Sequence, residues 1–202
     1  MLTIALPKGR IADETLDRFE KAFGEKFVFE DRKLILEQSG FKFLNVRNQD
    51  VPTYVMHGAA DLGVVGLDVL EEKEYDLIKL LDLKLGRCKV AFGLRAGEKL
   101  NFDKSKITIA TKHEKIAKKY FEQKAMAVEI IKLYGSIELA PLVGLCDCIV
   151  DIVETGETMK QNGLEVGPTI METTAHLIAN KNSFYAKKDL IFDLKDKLEK
   201  FL

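Results

Sequence analysis

The chain has 202 residues, 47% of them hydrophobic, which is enough for one large core or two smaller ones. Its 31 Lys and Arg stand against 32 Asp and Glu, a net charge of −1, so there is no positive surplus to neutralise a nucleic-acid backbone. Three cysteines, an odd number in a chain too long to need staples, are expected of a reducing compartment and a cytoplasmic protein.

The apolar run of "LTIAL" near the N-terminus is too short for the core of an export signal, and no stretch approaches the ~20 apolar residues of a membrane span. "LTIAL" reads as a strand. After the turn "PKGR", Ile11, Leu16, Phe19 and Phe23 fall near one helical face, so the chain opens β-loop-α. "KLILEQ" and "FKFLNV" predict a hairpin turning at Ser39-Gly40. In "DVPTYVMHG", Asp50 is placed to cap a short helix, with Pro52 in its first turn and Gly58 as its stop. "DLGVVG" reads as a buried strand and "LDVLEE" as the start of a helix.

The same alternation recurs further on. "KITIAT" precedes a basic helix over residues 115–124, whose lysines read as a solvated face. "AVEIIKLYG" precedes "SIELAPLVGL", and "CIVDIV" precedes "TMKQNG". Strand and helix alternating in this way predict an α/β protein with a mainly parallel sheet. With no Pro- or Ser-rich linker, two domains would have to be joined by short strands, for which "CKVAFGLRAG" and "TAHLIANKN" are the candidates. A central domain of residues 89–180 is thereby expected to be nested in a first domain made of residues 1–88 and 181–202.

Chemistry is expected first at "DIVETGET". Asp151 and Glu154 close a strand, where ligands of open α/β sheets bind, and carboxylates there accept well from paired sugar hydroxyls. Thr155, Gly156, Glu157 and Thr158 then turn into a helix N-terminus suited to a phosphate. Together they describe a ribose 5-phosphate site, against the plainer alternative of a solvated turn with Thr as an ordinary cap. Lys8 and Arg10 in "LPKGR" either grip a polyphosphate or form an ordinary basic turn, and Arg32 and Lys33 in "EDRKL" are open in the same way. Arg47 either serves a ligand or pairs with Asp50. Asp68, after "VVG", either accepts from a nucleoside or caps the next helix.

His57, His113 and His176 are scattered, without carboxylate or Cys at ligand spacing, and are expected to be ordinary surface or partly buried histidines. Cys146 and Cys148 lack further ligands and read as core thiols. Neither G-x-x-x-x-G-K-[ST] nor G-x-G-x-x-G occurs.

In combination, "LPKGR", "VRNQDVPTYVMHGAADLGVVGLDVL", "LLDLKLGRCKVAFGL" and "IKLYGSIELAPLVGLCDCIVDIVETGETMKQNGL" closely resemble the ATP phosphoribosyltransferases, with four motifs in family order from Leu2 to about Asn180. The resemblance implies two α/β domains around a cleft, in the manner of type II periplasmic binding proteins. It also implies transfer of the 5-phosphoribosyl group from phosphoribosyl pyrophosphate to N1 of ATP, the first step of histidine biosynthesis. Ending at Leu202, the chain resembles the short form, which implies a regulatory subunit resembling histidyl-tRNA synthetase, in a hetero-octamer.

Carried over by residue, the resemblance makes Asp151 and Glu154 the ribose hydroxyl acceptors, with Thr155, Gly156, Glu157 and Thr158 around the 5-phosphate. Arg10 and Arg32 then lie by the departing pyrophosphate as the catalytic charges, and Lys8, Arg10, Lys33, Arg47 and Asp68 bind ATP. Mg²⁺ is implied as a cofactor chelated by the substrate pyrophosphate, without protein ligands. Two rivals differ in class: a solute-binding protein, which would need an export signal or lipid anchor, and a phosphoribosyltransferase for another base.

Overall fold

The computed structural model describes residues 1–101 and 103–202. The chain divides into two compact units, one of Met1–Arg87 with Thr174–Leu202 and one of Cys88–Thr173.

In chain order the first unit begins with β1 (Leu2–Pro7), α1 (Arg10–Phe23), β2 (Ile35–Gln38) and β3 (Phe41–Val46), and continues with α2 (Val51–Met56), β4 (Leu62–Gly66), α3 (Leu67–Lys73) and β5 (Ile78–Asp82). The second unit holds β6 (Cys88–Arg95), β7 (Ile107–Thr111), α4 (Glu114–Glu122), β8 (Val128–Lys132), α5 (Leu139–Leu142), β9 (Cys148–Val153), α6 (Glu157–Gln161) and β10 (Leu164–Thr173). Three elements return to the first unit: β11 (Ala175–Ala179), α7 (Lys181–Ala186) and α8 (Lys188–Glu199).

The first sheet has the order β2-β3-β1-β4-β11-β5, and the second β10-β6-β9-β7-β8. Both are mixed rather than mainly parallel. In the first, β3, β1 and β4 run parallel while β2, β11 and β5 bring antiparallel pairings. In the second, β9, β7 and β8 are parallel and β6 and β10 are antiparallel. The antiparallel partners include β10 and β5, which the sequence reading did not pick out as strands, and β10 is ten residues long and mostly exposed or half-exposed. The second boundary between units lies at Thr174 rather than at residue 181, because β11 pairs with both β4 and β5 and so belongs to the first sheet.

Strand alternation builds a three-layer unit in each case. Leu2, Ile4 and Leu6 of β1 face α1 and α8, where Leu16, Phe19, Ile191, Leu194 and Leu198 are buried. Ala5 faces the other way, with Val51 and Val55 of α2 and Val69 of α3. Phe19 is fully buried and meets Phe43 edge-on at 5.1 Å between ring centroids. In the second unit Ile109 and Val150 pack with Ile116 and Phe121 of α4, and Ala110 and Ile149 face Ala140 of α5 and Met159 of α6. The predicted hairpin is present, with Ser39 and Gly40 both at positive φ. Asp50, expected to cap α2, makes no side-chain cap hydrogen bond; it ends a 3-10 turn over Asn48–Asp50 that runs directly into the helix.

Two carboxylates fasten the returning segment. Asp61 accepts from the Thr3 N–H at 2.9 Å and from Lys187 Nζ at 2.7 Å, tying β1 to the start of α8. Burial alone would raise the Asp61 pKa, but the Lys187 hydrogen bond and the Thr3 N–H outweigh it and hold it below its ordinary value. Asp82 accepts from Thr174 Oγ1 at 2.7 Å and from the Lys84 N–H at 2.9 Å, fixing residues 83–85 beside 174–175. Here too burial opposes ionisation, and the Lys84 ammonium and N–H and the Thr174 hydroxyl win, holding the pKa at about 2.

Asp61→Ala should lower the unfolding free energy by roughly 2–3 kcal/mol in denaturant titrations, below the full cost of an orphaned buried charge because Lys187 reaches solvent. Asp82 has a depressed folded-state pKa, so its contribution to stability is complete above the ordinary carboxylate range and is lost as pH falls toward about 2. Acid unfolding curves of Asp82→Asn should accordingly be flatter over that window than those of the wild-type chain.

Candidate functional site

Strand β9 sits between antiparallel β6 and parallel β7, with Asp151 opposite Ala91. Asp151 is therefore inside the strand, and Glu154 is the residue that follows its end. Gly156 then turns the chain into α6 at φ 84°, a left-handed conformation that favours glycine, and a Cβ there would lie 2.9 Å from Val166 Cγ2. Thr155 Oγ1 accepts from the Glu157 N–H at 3.3 Å within the turn, while α6 itself has Gly156 at its N-cap and no side-chain cap. A cavity of about 300 Å³ opens here, lined by Glu138, Asp151, Glu154, Thr155, Gly156 and Thr158, with Cys88 at its edge. Glu157 is exposed, and its carboxylate accepts from Gln161 Nε2 at 3.2 Å.

The environment of Asp151 is the most specific part of the site. Its Oδ1 accepts from the Ile152 N–H at 2.7 Å and faces Lys112 Nζ at 3.0 Å and His113 Nε2 at 3.7 Å. Burial would raise its pKa, but the His113 imidazole, the Lys112 charge and the Ile152 N–H together pull it below the ordinary value, so the carboxylate stays ionised. A half-buried carboxylate held as an anion in the lining of a cavity is a strong acceptor for hydroxyl groups.

Sequence reasoning missed three residues here. His113, read as an ordinary histidine, is 1% exposed beside Asp151. Lys112 went unremarked next to it. Glu138 lies a dozen residues before the loop yet lines the same cavity. The first two are brought there by the pairing of β7 with parallel β9, since residues just past the carboxyl ends of such strands converge, and no local spacing announces that pairing. The cysteines behave as expected. Cys146 and Cys148 are buried, and burial pushes the Cys148 thiol up to about 12.

In the first unit the same rule gathers the basic residues. Pro7 at the end of β1 pairs with Val46 at the end of parallel β3, and the Lys8 N–H donates to the Val46 carbonyl at 2.8 Å. Lys8, Arg10 and Arg47 therefore emerge side by side, and Asp68 follows β4 on the other flank of β1. Arg32 and Lys33 join that end of the sheet, since the Leu34 carbonyl accepts from the Asn45 N–H at 2.8 Å. Lys8, Arg32 and Arg47 are exposed, and among the described residues nothing engages their side chains. Arg47 does not pair with Asp50; only its carbonyl accepts from the Asp50 N–H. Arg10 is the first residue of α1, 3.6 Å from Glu14 Oε1, while Glu14 Oε2 accepts from the Gly86 N–H. Lys33 pairs with Glu30. Asp68 is buried, its Oδ1 folded back over Gly66 where a Cβ would lie 2.2 Å from it.

Removing the Lys112 charge should raise the Asp151 pKa toward the ordinary carboxylate value, because a favourable contribution is lost while burial stays. Side-chain carboxyl NMR titration of Lys112→Met against wild type measures the shift.

Comparison with known proteins follows this geometry. Residues 47–200 match the family model described as ATP phosphoribosyltransferase. The chain is 67% identical over 99% of its length to a protein named ATP phosphoribosyltransferase from Wolinella succinogenes, covering 97% of that relative. It is 59% identical over its full length to one so named from Helicobacter hepaticus, covering 98% of it. Among solved structures, the ATP phosphoribosyl transferase (HisG:HisZ) complex from Thermotoga maritima superposes with a TM-score of 0.83 at 36% identity, over 99% of this chain and 98% of that one. A substrate-binding protein of an amino acid ABC transporter superposes with a TM-score of 0.62 at 12% identity, over 98% of this chain and 91% of that one, which shows a shared fold. No helix among the described residues is long and apolar enough to cross a membrane.

Proposed function

The chain belongs to the ATP phosphoribosyltransferase family, and we propose on that footing that the β9–α6 loop holds phosphoribosyl pyrophosphate while the basic end of the first sheet holds ATP. The family's reaction moves the 5-phosphoribosyl group from phosphoribosyl pyrophosphate to N1 of ATP, giving N1-(5-phosphoribosyl)-ATP and pyrophosphate, the first step of histidine biosynthesis.

In this assignment Asp151 and Glu154 accept from the ribose hydroxyls, and Thr155, Gly156, Glu157 and Thr158 surround the 5-phosphate. Glu157 enters through its backbone N–H, exchanging the 3.3 Å hydrogen bond to Thr155 Oγ1 for the phosphate, since its side chain is turned to Gln161. Lys8, Arg10, Lys33, Arg47 and Asp68 bind ATP. The bond formed joins adenine N1 to the ribose C1, and the bond broken releases pyrophosphate from that carbon. Adenine N1 attacks through a lone pair and has no proton to give up, so the step needs no general base. Its difficulty is charge, because the departing pyrophosphate gathers negative charge while the sugar becomes cationic. Arg10 and Arg32 are assigned to the first of these, as preorganised positive groups whose position costs no reorganisation during reaction.

Among the described residues no three His, Cys, Asp or Glu side chains converge as metal ligands, and Asp151 Oδ1 is already taken by Ile152, Lys112 and His113. A Mg²⁺ carried on the substrate's pyrophosphate would offset leaving-group charge. Assembly with a regulatory subunit resembling histidyl-tRNA synthetase, in the short form's hetero-octamer, is supported by the Thermotoga relative, which is a complex. The odd count of three cysteines supports a reducing, cytoplasmic location.

The observation that carries the assignment is the half-buried, ionised Asp151 on a cavity that the Gly156 turn also lines. Asp151→Asn and Glu154→Gln should raise KM for phosphoribosyl pyrophosphate far more than KM for ATP, and equal losses for both substrates would contradict the roles. Arg10→Ala should lower kcat by about 10²- to 10³-fold. The deciding experiment mixes the purified chain with ATP, phosphoribosyl pyrophosphate and Mg²⁺, with and without a candidate regulatory subunit, and follows absorbance in the phosphoribosyl-ATP band. Product is expected, with a large gain from the partner. Folded protein that binds phosphoribosyl pyrophosphate yet forms no product in either mixture would overturn the choice of ATP as acceptor.

A further inference from the structure

His113 is almost completely buried, and neither Nδ1 nor Nε2 has a hydrogen-bond partner. Buried polar groups are nearly always satisfied, so an imidazole with both nitrogens unpaired marks a place where another arrangement is in reach. Its backbone is fully employed: the N–H donates to Thr111 Oγ1 at 2.8 Å, and the carbonyl accepts from the Ala117 N–H at 3.0 Å in the first turn of α4. Thr111 in turn donates to the Val150 carbonyl at 2.6 Å, which locks the end of β7 to β9 one residue before Asp151. The side chain takes no part in capping α4. What it faces is Asp151 Oδ1, at 3.7 Å, about 1 Å too far for a hydrogen bond.

The contacts given above all fall on Oδ1: the Ile152 N–H, Lys112 Nζ and the His113 ring. We propose that His113 is a positioning residue for Asp151, closing to a hydrogen bond from Nε2–H to Oδ1 when phosphoribosyl pyrophosphate binds, so that Oδ1 is held by the protein and Oδ2 alone accepts from the sugar. Lys112 is the outer member of the same arrangement, its side chain reaching solvent. The proposal rests on the assignment of Asp151 to the ribose hydroxyls and adds how that carboxylate is aimed. It needs the tautomer that carries hydrogen on Nε2, with Nδ1 left without one.

The test compares wild type with His113→Phe, which keeps the ring and removes the donor, and His113→Gln, which restores a donor near the Nε2 position. Asp151→Asn and the Asp151→Asn/His113→Phe double variant complete a cycle. His113→Phe should raise KM for phosphoribosyl pyrophosphate about tenfold, the weight of one charge-assisted hydrogen bond, with KM for ATP and kcat little changed. His113→Gln should recover most of that loss, and His113→Phe should add almost nothing once Asp151 is Asn. The His113 Nε2–H resonance should shift downfield when phosphoribosyl pyrophosphate is added to the wild-type chain.

Equal losses in the Phe and Gln variants, losses shared with ATP, or additive effects in the cycle would make His113 a packing residue and overturn the proposal. Wild-type KM in His113→Phe beside a damaged Asp151→Asn would overturn it while leaving the loop assignment intact. Wild-type KM in Asp151→Asn would overturn the loop assignment, and this proposal with it.

Discussion

The insertion of β11 between β4 and β5 is the pairing on which the architecture depends. Without residues 175–179 the first sheet would lack the strand that joins β5 to β4, and α8 would have no place against α1. Because that strand arrives only after residue 173, the whole of the second unit is an insertion into the first. The fastening is accordingly heavy there. Asp61, Asn180 and Lys187 bind the returning chain to β1 and α2, and Asp82 holds Thr174. Each of these polar groups is partly or wholly buried and each is met by a partner, as the cost of an unmet buried charge requires.

The two units solve the problem of placing ligand groups in the same manner. In each, parallel strands at the middle of a mixed sheet end on the same side, and their following turns carry the residues with chemistry. Lys8, Arg10, Arg47 and Asp68 follow β1, β3 and β4, and Lys112, His113 and Glu154 follow β7 and β9. The sign of the charge differs. The first unit gathers exposed cations suited to phosphates, while the second lines a cavity with half-buried and exposed acids, with Lys112 beside Asp151. The proposed placement of the triphosphate on the first unit and of the sugar hydroxyls on the second rests on that division.

The cost of the arrangement falls on Asp151 and His113. Holding a carboxylate inside a strand opposes its ionisation, and the His113 ring, the Lys112 charge and the Ile152 N–H recover what burial takes away. The imidazole behind it is left with no hydrogen bond at all. Unsatisfied groups of this kind concentrate where a protein keeps a second arrangement available, and an unpaired ring 3.7 Å from a carboxylate that lines a cavity is one of them.

Local pattern determined much of this protein. The alternation of short apolar strands with helical faces, the Ser39-Gly40 hairpin, the core thiols and the loop from Asp151 to Thr158 were all legible, since each depends on neighbours a few residues apart. The family motifs carried the activity and the basic positions of the first unit. Tertiary structure alone decided that both sheets are mixed, that β11 belongs to the first unit, and that Glu138, Lys112 and His113 stand at the Asp151 site. The physical reason is the same each time. Strand partners and strand ends separated by tens of residues meet through backbone pairing, whose register is set by the burial of whole faces, and no local spacing records which strand will lie beside which.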